Sequence, residues 1–224
     1  MTTPEPADEV PGREPAGEVP RRQPARRRSL LPALASRHII EHGFEGCSVN
    51  DLAADLGLSV GGLYRYISTK SDLLVMACES IYGGLREQIA EITTGPGPLP
   101  EKLRAAVELY LRECARNQEQ ILLMYREYRH LPRDAHRRYK DRERGIAGVF
   151  SDLIVSGVRR GVFREVDATV LAEDIVLLGH LPALKGWALR EEVEPDALVS
   201  EQVELVMARV ECRPPRATHR DTTR

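Results

Sequence analysis

Several side chains that suit contacts with nucleic acid lie close together in this sequence. The guanidinium of Arg65 can bond two acceptors on a guanine edge, and Val60 can touch a thymine methyl group. Tyr64, Tyr66 and Lys70 offer hydroxyl and ammonium donors for phosphate oxygens. We therefore predict that Arg65 and Val60 discriminate sequence, and that the other three hold the nucleic-acid backbone.

Two short predicted helices, joined by a turn, would position these side chains. Ser48 is placed to cap the first helix, with Asp51 as the second half of a capping box, and Gly57 ends it. Ser59 can cap the second helix, 60–67, so the turn between them has helix-turn-helix length. The apolar residues that recur at helical spacing are Val49, Leu52, Ala53, Leu56, Leu63 and Ile67.

The first turn of the second helix would point at the bases of a DNA major groove. The residues within reach are Ser59, Val60, Gly61, Gly62 and Arg65. Each glycine weakens a helix by about 1 kcal/mol relative to alanine. This cost is explained if the backbone must approach DNA or a neighbouring helix. The alternative is that the helix simply tolerates the two glycines, without any role for them.

Two of the predicted contacts have structural alternatives. Tyr64 lies beside Leu63, so its ring can belong to the core while only its hydroxyl is exposed. Ser48 can contact a phosphate or only cap its helix. A third helix start is predicted at Thr69, with Asp72 three residues later.

Residues 29–75 resemble the amino-terminal domain of TetR-family transcriptional regulators. The resemblance implies backbone contacts at Tyr64, Tyr66 and Lys70. The sequence departs from the family at Ile39 and Ile67, where phenylalanine is frequent, and at Tyr66, where histidine is frequent. The matching residues are Gly43-Phe44, Ser48-Val49, Asp51-Leu52-Ala53, Gly57-Leu58-Ser59, Gly62-Leu63-Tyr64, Tyr66-Ile67 and Lys70.

Composition favours an all-α protein. Aromatic residues make up only 5% of the 224 residues, and no segment alternates apolar and polar residues for the length of a strand. We predict a three-helix helix-turn-helix domain over 29–75 and a helical ligand-binding and dimerisation domain over 76–212. Seven further helices are predicted outside the helix-turn-helix. One begins after Ser29 and stops at Gly43, and a second runs unbroken from Lys70 to Ile92. The other five span 101–116, 118–130, 133–160, 167–190 and 195–210.

Both chain ends are predicted to be disordered, over 1–28 and 213–224. The net charge of −2 is distributed unevenly, because arginines crowd just before the first helix. Such an arm can enter a DNA minor groove, where arginine senses groove width, or it can be a solvated tail. The arginines are Arg21, Arg22, Arg26, Arg27 and Arg28.

A single reading unit covers few base pairs, so specific binding usually needs a dimer spanning two half-sites roughly 34–36 Å apart. The resemblance implies a four-helix interface made by the last two helices of each copy. The alternative is that these helices only close the core of one copy. The apolar residues concerned are Val199, Val203, Val206 and Val210 on the last helix and Val170, Leu171, Ile175, Leu178, Leu181, Leu184 and Trp187 on the preceding one.

The resemblance also implies a ligand pocket among the middle helices. It further implies that the helix from Lys70 transmits ligand binding to the two helix-turn-helix domains of the dimer. Residues 122–144 resemble the acyl-CoA-responsive branch typified by FadR-type regulators. Basic residues there can hold a CoA phosphate or form a solvated face, and they are Arg137, Arg138, Lys140, Arg142 and Arg144. The predicted pocket residues, each of which can instead be ordinary core, are Leu103, Val107, Tyr110, Met124, Tyr125, Tyr128, Ile146, Phe150 and Trp187.

Other functional classes find little support in the sequence. The six histidines show no metal-ligand spacing, and no P-loop, dinucleotide fingerprint, nucleophile elbow or HExxH motif occurs. We therefore expect no metal, no cofactor and no enzyme activity, although scattered acids and histidines could still assemble in a fold. Four unpaired cysteines and the lack of a signal peptide or membrane span favour a cytoplasmic protein; the cysteines suit buried apolar roles, with redox sensing as the alternative.

The sequence thus predicts a homodimeric repressor that a small molecule releases from its DNA operator. A hydrophobic molecule such as an acyl-CoA is the predicted effector. A constitutive or architectural DNA-binding dimer is the main alternative, and an enzyme is the other.

Overall fold

A computed structural model describes residues 22–79, 82–189 and 193–211 of the chain. The regular secondary structure of this part is helical, with one isolated antiparallel bridge between Phe163 and Glu211. The all-α prediction is therefore confirmed. The predicted disordered stretch 1–21 and the tail 213–224 lie outside the described residues.

Four helices form the amino-terminal part, and six helices and a short 3-10 turn follow. The first four are α1 (Arg22–Gly46), α2 (Val49–Asp55), α3 (Val60–Leu63) and α4 (Lys70–Glu79). The others are α5 (Leu85–Thr94), α6 (Leu99–Arg116), α7 (Gln118–Glu127), the 3-10 turn Tyr128–His130, α8 (Arg133–Arg159), α9 (Ala168–Leu189) and α10 (Pro195–Val210).

The first helix begins earlier than predicted. Its backbone is helical from Arg22, so residues 22–28 are not the disordered segment expected from their charge. Arginine, glutamine and alanine are good helix formers, which allows the helix to extend ahead of its buried residues. At the predicted stop, Gly43 leaves helical geometry with φ 72°, so the helix is interrupted there as expected, but a further short helical stretch extends α1 to Gly46.

The prediction of one unbroken helix from Lys70 to Ile92 is wrong. Residues 82–84 form a turn, and α5 starts at Leu85. Gly84 has φ 75°, a left-handed conformation that interrupts regular helix and that glycine adopts without strain. Apolar periodicity continues across this break, so periodicity alone did not reveal it.

The amino-terminal core forms where α1 packs against α4 and the short α2 and α3 cover the remaining side. A polar link fixes α1 against α2: Asp55 Oδ2 lies 2.9 Å from Nε2 of His38 and 3.0 Å from Nη2 of Arg37. The buried apolar side chains of this core are Leu31, Ala35, Ile39, Leu52, Ala53, Leu63, Ile67, Leu73, Leu74 and Ala77.

The carboxy-terminal core lies among α5, α6, α8 and α9. The ring of Tyr110 on α6 meets that of Phe150 on α8 edge to face, with 5.7 Å between their centroids. Both side chains are fully buried. The 3-10 turn after α7 packs near the end of α1, where the rings of Phe44 and His130 are 5.3 Å apart. The two parts of the chain are therefore in contact through α1 and α7.

Candidate DNA-binding surface and effector cleft

The predicted helix-turn-helix caps are present in the structure. The Ser48 hydroxyl accepts a hydrogen bond from the Asp51 amide (3.2 Å), and the Ser59 hydroxyl accepts one from the Gly62 amide (3.1 Å). Gly57, in the turn between α2 and α3, has φ 61°. These contacts satisfy backbone donors that a helix start leaves unpaired, which explains why the chain folds into two helices here.

The second helix of the unit is shorter than predicted. Regular α-helix covers only Val60–Leu63 instead of 60–67. The chain then continues in tighter turns, in which the Arg65 amide donates to the Gly62 carbonyl (3.4 Å) and the Tyr66 amide to the Leu63 carbonyl (2.8 Å). The tighter winding follows a helix that two glycines weaken.

One side of this segment belongs to the core and the other is free. Leu63 is fully buried and Ile67 is 4% exposed. The side chain of Arg65 makes no hydrogen bond or ion pair within the described part of the chain. Four of the five predicted base-reading residues are exposed, namely Ser59, Val60, Gly61 and Arg65, and the fifth, Gly62, is half-buried. Of the residues predicted to contact phosphates, Tyr64 is exposed, and Ser48, Tyr66 and Lys70 are half-buried.

Two of the predicted contact residues take part in the fold as well. The Lys70 ammonium donates to the Glu45 carbonyl (2.8 Å) and lies 5.2 Å from the ring centroid of Phe44, so it joins the end of α1 to the start of α4. Tyr64 is 47% exposed, which places part of its ring against the protein and part in solvent. Phosphate contacts by both residues stay predictions.

The two glycines have different surroundings. A Cβ on Gly61 would have no heavy atom within 4 Å, whereas one on Gly62 would lie 3.3 Å from the Ser59 hydroxyl oxygen. The fold therefore gives no steric reason for glycine at 61. Of the arginines of the predicted arm, Arg27 is half-buried and Arg28 is exposed.

The residues predicted to line a ligand pocket fall into three groups. Tyr125 and Tyr128, together with Met124, line a cleft of about 270 Å³ between α7 and α8. Trp187 is 75% exposed, so its prediction as a pocket residue is wrong: the last turn of α9 buries Gly186 and turns the indole outward, where the Lys185 ammonium lies 5.3 Å from its centroid. The remaining residues are packed as core and are Leu103, Val107, Tyr110, Ile146 and Phe150.

A buried polar cluster lies behind the cleft, and sequence reasoning missed most of it. His180 on α9 is 1% exposed. Its Nδ1 is 2.9 Å from the Tyr125 hydroxyl, and its Nε2 is 2.9 Å from that of Tyr82 and 3.3 Å from that of Tyr110. The only signal in the sequence was a histidine interrupting the apolar run of α9.

Glu143 on α8 completes this cluster. Its Oε1 accepts hydrogen bonds from the hydroxyls of Tyr139 and Tyr82. Desolvation raises the pKa of the Glu143 carboxyl, and burial lowers the pKa of His180 to about 4. At neutral pH the imidazole is therefore uncharged, and it lies 3.9 Å from the carboxylate.

The predicted basic patch on α8 is partly neutralised. Arg138 pairs with Asp134 at 2.6 Å and Arg144 with Asp141 at 3.5 Å, as a solvated helix face would. Lys140 is exposed and lines the cleft beside Glu143. Arg137 is exposed, and Arg142 is half-buried.

The last two helices leave an apolar face uncovered, but not at the predicted valines of α10. Leu177 on α9 and Leu205 on α10 are 58% and 61% exposed, and Val170 is 57% exposed. A groove of about 380 Å³ runs between the two helices at Leu177 and Leu205. The part of the predicted interface on α10 is buried in the core of one copy, because its side chains point towards α6 and α9, and it consists of Val199, Val203, Val206 and Val210. Of the residues predicted on α9, Val170 and Trp187 are exposed, Leu171 and Ile175 are buried, and Leu178, Leu181 and Leu184 are half-buried.

Two further observations bear on the class of protein. Within 22–79, 82–189 and 193–211, no cluster of histidine, cysteine, aspartate or glutamate side chains could hold a metal ion. None of the helices described is both long and apolar enough to cross a bilayer. The exposed first turn of α3, held by two capped helices, defines a helix-turn-helix DNA-binding protein.

Comparison with known proteins identifies the family. Residues 33–77 match the model of bacterial regulatory proteins of the tetR family, and residues 96–191 match that of the tetracyclin repressor-like C-terminal domain. The chain belongs to the TetR family of transcriptional regulators and is a DNA-binding regulator. TetR regulators bind operator DNA as dimers.

Individual relatives are similar to this chain in sequence or in fold over most of its length. The HTH-type transcriptional regulator HbdR of Aromatoleum sp. (strain CIB) is 24% identical over 181 residues, which cover 81% of this chain and 79% of HbdR. The crystal structure of AibR in complex with isovaleryl coenzyme A and operator DNA has a TM-score of 0.67 at 20% identity, covering 80% of this chain and 97% of AibR. FadR from Bacillus subtilis in complex with stearoyl-CoA has a TM-score of 0.67 at 17% identity, covering 82% of this chain and 99% of FadR.

Proposed function

We propose that this protein is a homodimeric repressor, and that a small molecule bound in its carboxy-terminal domain releases it from its operator. The observation that carries the proposal is the exposed first turn of α3 together with a cleft whose wall, α7, also leads to the amino-terminal part. A ligand that moves the end of α7 acts on Phe44 through His130, and hence on the α1–α4 junction held by Lys70. We assign the DNA-reading domain to 29–75 and the ligand-binding domain to 76–212.

The proposed operator contacts follow from exposure and chemistry. Arg65 and Val60 read base edges, while Tyr64, Tyr66 and Lys70 hold phosphates. Ser48, Ser59, Gly61 and Gly62 bring the backbone of the unit close to DNA. A protein that acts on chromosomal operators in a bacterium works in the cytoplasm.

The proposed dimer forms through α9 and α10 around Leu177 and Leu205. Two exposed leucines flanking a groove are what a second copy would cover, since apolar patches of this kind mark interaction sites. The same two helices would then set the distance between the helix-turn-helix domains of the two copies.

We propose an acyl-CoA as the effector class. Two structures of the same fold contain acyl-CoA molecules, and the exposed ammonium of Lys140 at the cleft could meet a phosphate. A constitutive DNA-binding dimer is the second candidate, because five of the predicted pocket residues are packed as core and the space beside Met124 and Tyr139 holds only about 10 Å³.

Selection of DNA duplexes from a random library by the full-length protein tests both the operator binding and its release by an effector. We expect a sequence with two-fold symmetry to be enriched, and we expect an acyl-CoA to release the protein from this sequence. Enrichment without release by any CoA thioester would favour the constitutive binder. A failure to enrich any sequence at low salt would contradict the repressor assignment.

A further inference from the structure

The cleft between α7 and α8 changes in character from its rim to its floor. Lys140 at the rim is exposed. The side walls are the thioether of Met124 and the rings of Tyr125 and Tyr128, while Glu143, whose side chain is 27% exposed, contributes a carboxylate. A ligand lying along the cleft meets a cation first, then apolar and aromatic surface, and finally a hydrogen-bond acceptor.

The Glu143 carboxylate is only half satisfied by the protein. Oε1 accepts from the Tyr139 and Tyr82 hydroxyls, whereas Oε2 has no hydrogen-bond partner within the described part of the chain. No described lysine or arginine lies within ion-pair distance of this carboxylate, and the nearest basic group is the uncharged imidazole of His180. A partly desolvated carboxylate without a cation is stabilised by any donor that reaches it.

The hydrogen bonds around His180 can run in either direction, and both leave Oε2 free. If the Tyr82 hydroxyl donates to Oε1, then Nε2–H of His180 donates to Tyr82, and Nδ1 accepts from the Tyr125 hydroxyl. With the other tautomer, Tyr82 donates to Nε2 and Nδ1–H donates to Tyr125. In both arrangements the cluster offers an incoming ligand an acceptor at Oε2 of Glu143.

The size of the cleft limits the ligand. Its volume of about 270 Å³ is slightly below the usual range for ligand pockets, roughly 300–1,000 Å³. Behind it, the void next to Met124 and Tyr139 holds only about 10 Å³, room for about one water molecule. Deeper still, Tyr110 and Phe150 are fully buried against each other. Among the described residues, the side chains on this side of the cleft are packed as core, so we expect a long alkyl chain to fit poorly here.

We infer that the effector has a compact acyl group ending in a hydrogen-bond donor such as a hydroxyl, and that Glu143 accepts this donor. This inference rests on the acyl-CoA effector class proposed above. Glu143 is then a specificity-determining residue, and Tyr82 and His180 are positioning residues that hold its carboxylate and connect it to the turn between α4 and α5. A ligand that shifts the Glu143 carboxylate would act through its Tyr82 contact on the start of α5.

Three CoA thioesters test this inference: butyryl-CoA, 3-hydroxybutyryl-CoA and palmitoyl-CoA. Fluorescence anisotropy of the selected operator gives the concentration of each that releases half of the full-length protein. We expect 3-hydroxybutyryl-CoA to act at about a tenfold lower concentration than butyryl-CoA, as one charge-assisted hydrogen bond would produce. Palmitoyl-CoA should be the weakest of the three.

The variant E143Q should reduce the preference for the hydroxylated ligand to less than about threefold, because the amide lacks the charge. The matched control is E119Q, which removes an exposed carboxylate on α7 and should keep the wild-type preference. The wild-type comparison needs no variant, so the test remains decisive even if E143Q folds poorly.

The outcomes separate the two proposals. Equal release by the two four-carbon thioesters, or strongest release by palmitoyl-CoA, would overturn the inference and leave the repressor function standing. Operator binding that none of the three thioesters changes would overturn the acyl-CoA effector class and the inference together.

Discussion

A Cβ atom on Gly179 of α9 would lie only 2.5 Å from Cε1 of Tyr110 on α6. The absence of a side chain at this position lets α9 approach α6 closely enough for the Tyr110 hydroxyl to donate to the Val176 carbonyl at 3.1 Å. The same approach brings that hydroxyl within 3.3 Å of His180. One glycine therefore permits the packing that holds the polar cluster behind the cleft.

The substitution Gly179→Ala should destabilise the fold by about 1–3 kcal/mol, because the new methyl group would overlap the Tyr110 ring and approach the Cys114 sulfur in a filled core. Chemical denaturation monitored by circular dichroism measures this change. The control is Gly148→Ala on α8, where a Cβ has no neighbour within 4 Å and alanine should stabilise the helix by up to about 1 kcal/mol. Equal effects of the two substitutions would refute the packing argument.

The substitution Arg65→Ala should relax operator specificity. Loss of a bidentate contact to guanine costs about 1–3 kcal/mol of discrimination at one base pair, while neighbouring positions keep theirs. Competition binding with single-base operator variants measures the profile. Arg160→Ala removes the same charge from an exposed site at the end of α8 and should leave the profile intact. An unchanged profile for Arg65→Ala would show that another residue reads the base.

The substitution Gly61→Ala tests whether Gly61 is needed for close approach to DNA or is merely tolerated in α3 without a role. Because the Cβ would enter open space, the free protein should be unchanged or more stable by up to about 1 kcal/mol. Operator affinity should nevertheless fall by tenfold or more if the backbone approaches DNA at this point. Thermal denaturation and anisotropy on the same samples give both values, and undiminished affinity would favour tolerance.

The stability of the protein should depend on pH through His180. Burial lowers its pKa from 6.5 to about 4 in the folded state, so between these values the unfolded chain binds more protons than the folded one. The stabilisation is complete above pH 6.5 and is lost as the pH falls towards 4, by about 3 kcal/mol at most.

The free energy of unfolding of wild type and His180→Gln at several values between pH 7 and 4 tests this dependence. The wild-type value should fall more steeply than that of the variant. Glu143, whose raised pKa acts in the opposite direction as its carboxylate protonates, is present in both proteins. Parallel curves would mean that His180 is not the group responsible.

Local signals in the sequence predicted the reading unit and most helix boundaries well. Ser48 and Ser59 cap their helices as expected because a cap depends on a hydroxyl and an amide three residues apart. The helix predicted over 195–210 is observed as α10, Pro195–Val210, since proline at a first helical position is a strong start signal. These features depend on neighbours along the chain, which the sequence displays.

Features set by distant residues were missed or misjudged. The contact between Tyr82 and His180 joins positions 98 residues apart, and no periodicity reports it. Val203 and Leu205 are both apolar, yet only the fold decides that the first is buried and the second is exposed. The break at Gly84 was hidden because apolar residues keep helical spacing on both sides of it.

The affinity of the full-length protein for its selected operator, compared with a scrambled duplex of the same composition over a series of salt concentrations, tests the central claim most directly. The account predicts that affinity falls steeply as salt rises, and that the operator is preferred by about a thousandfold or more at physiological salt. Equal affinity for the two duplexes, or binding that does not respond to salt, would contradict the assignment of α3 as a DNA-reading element.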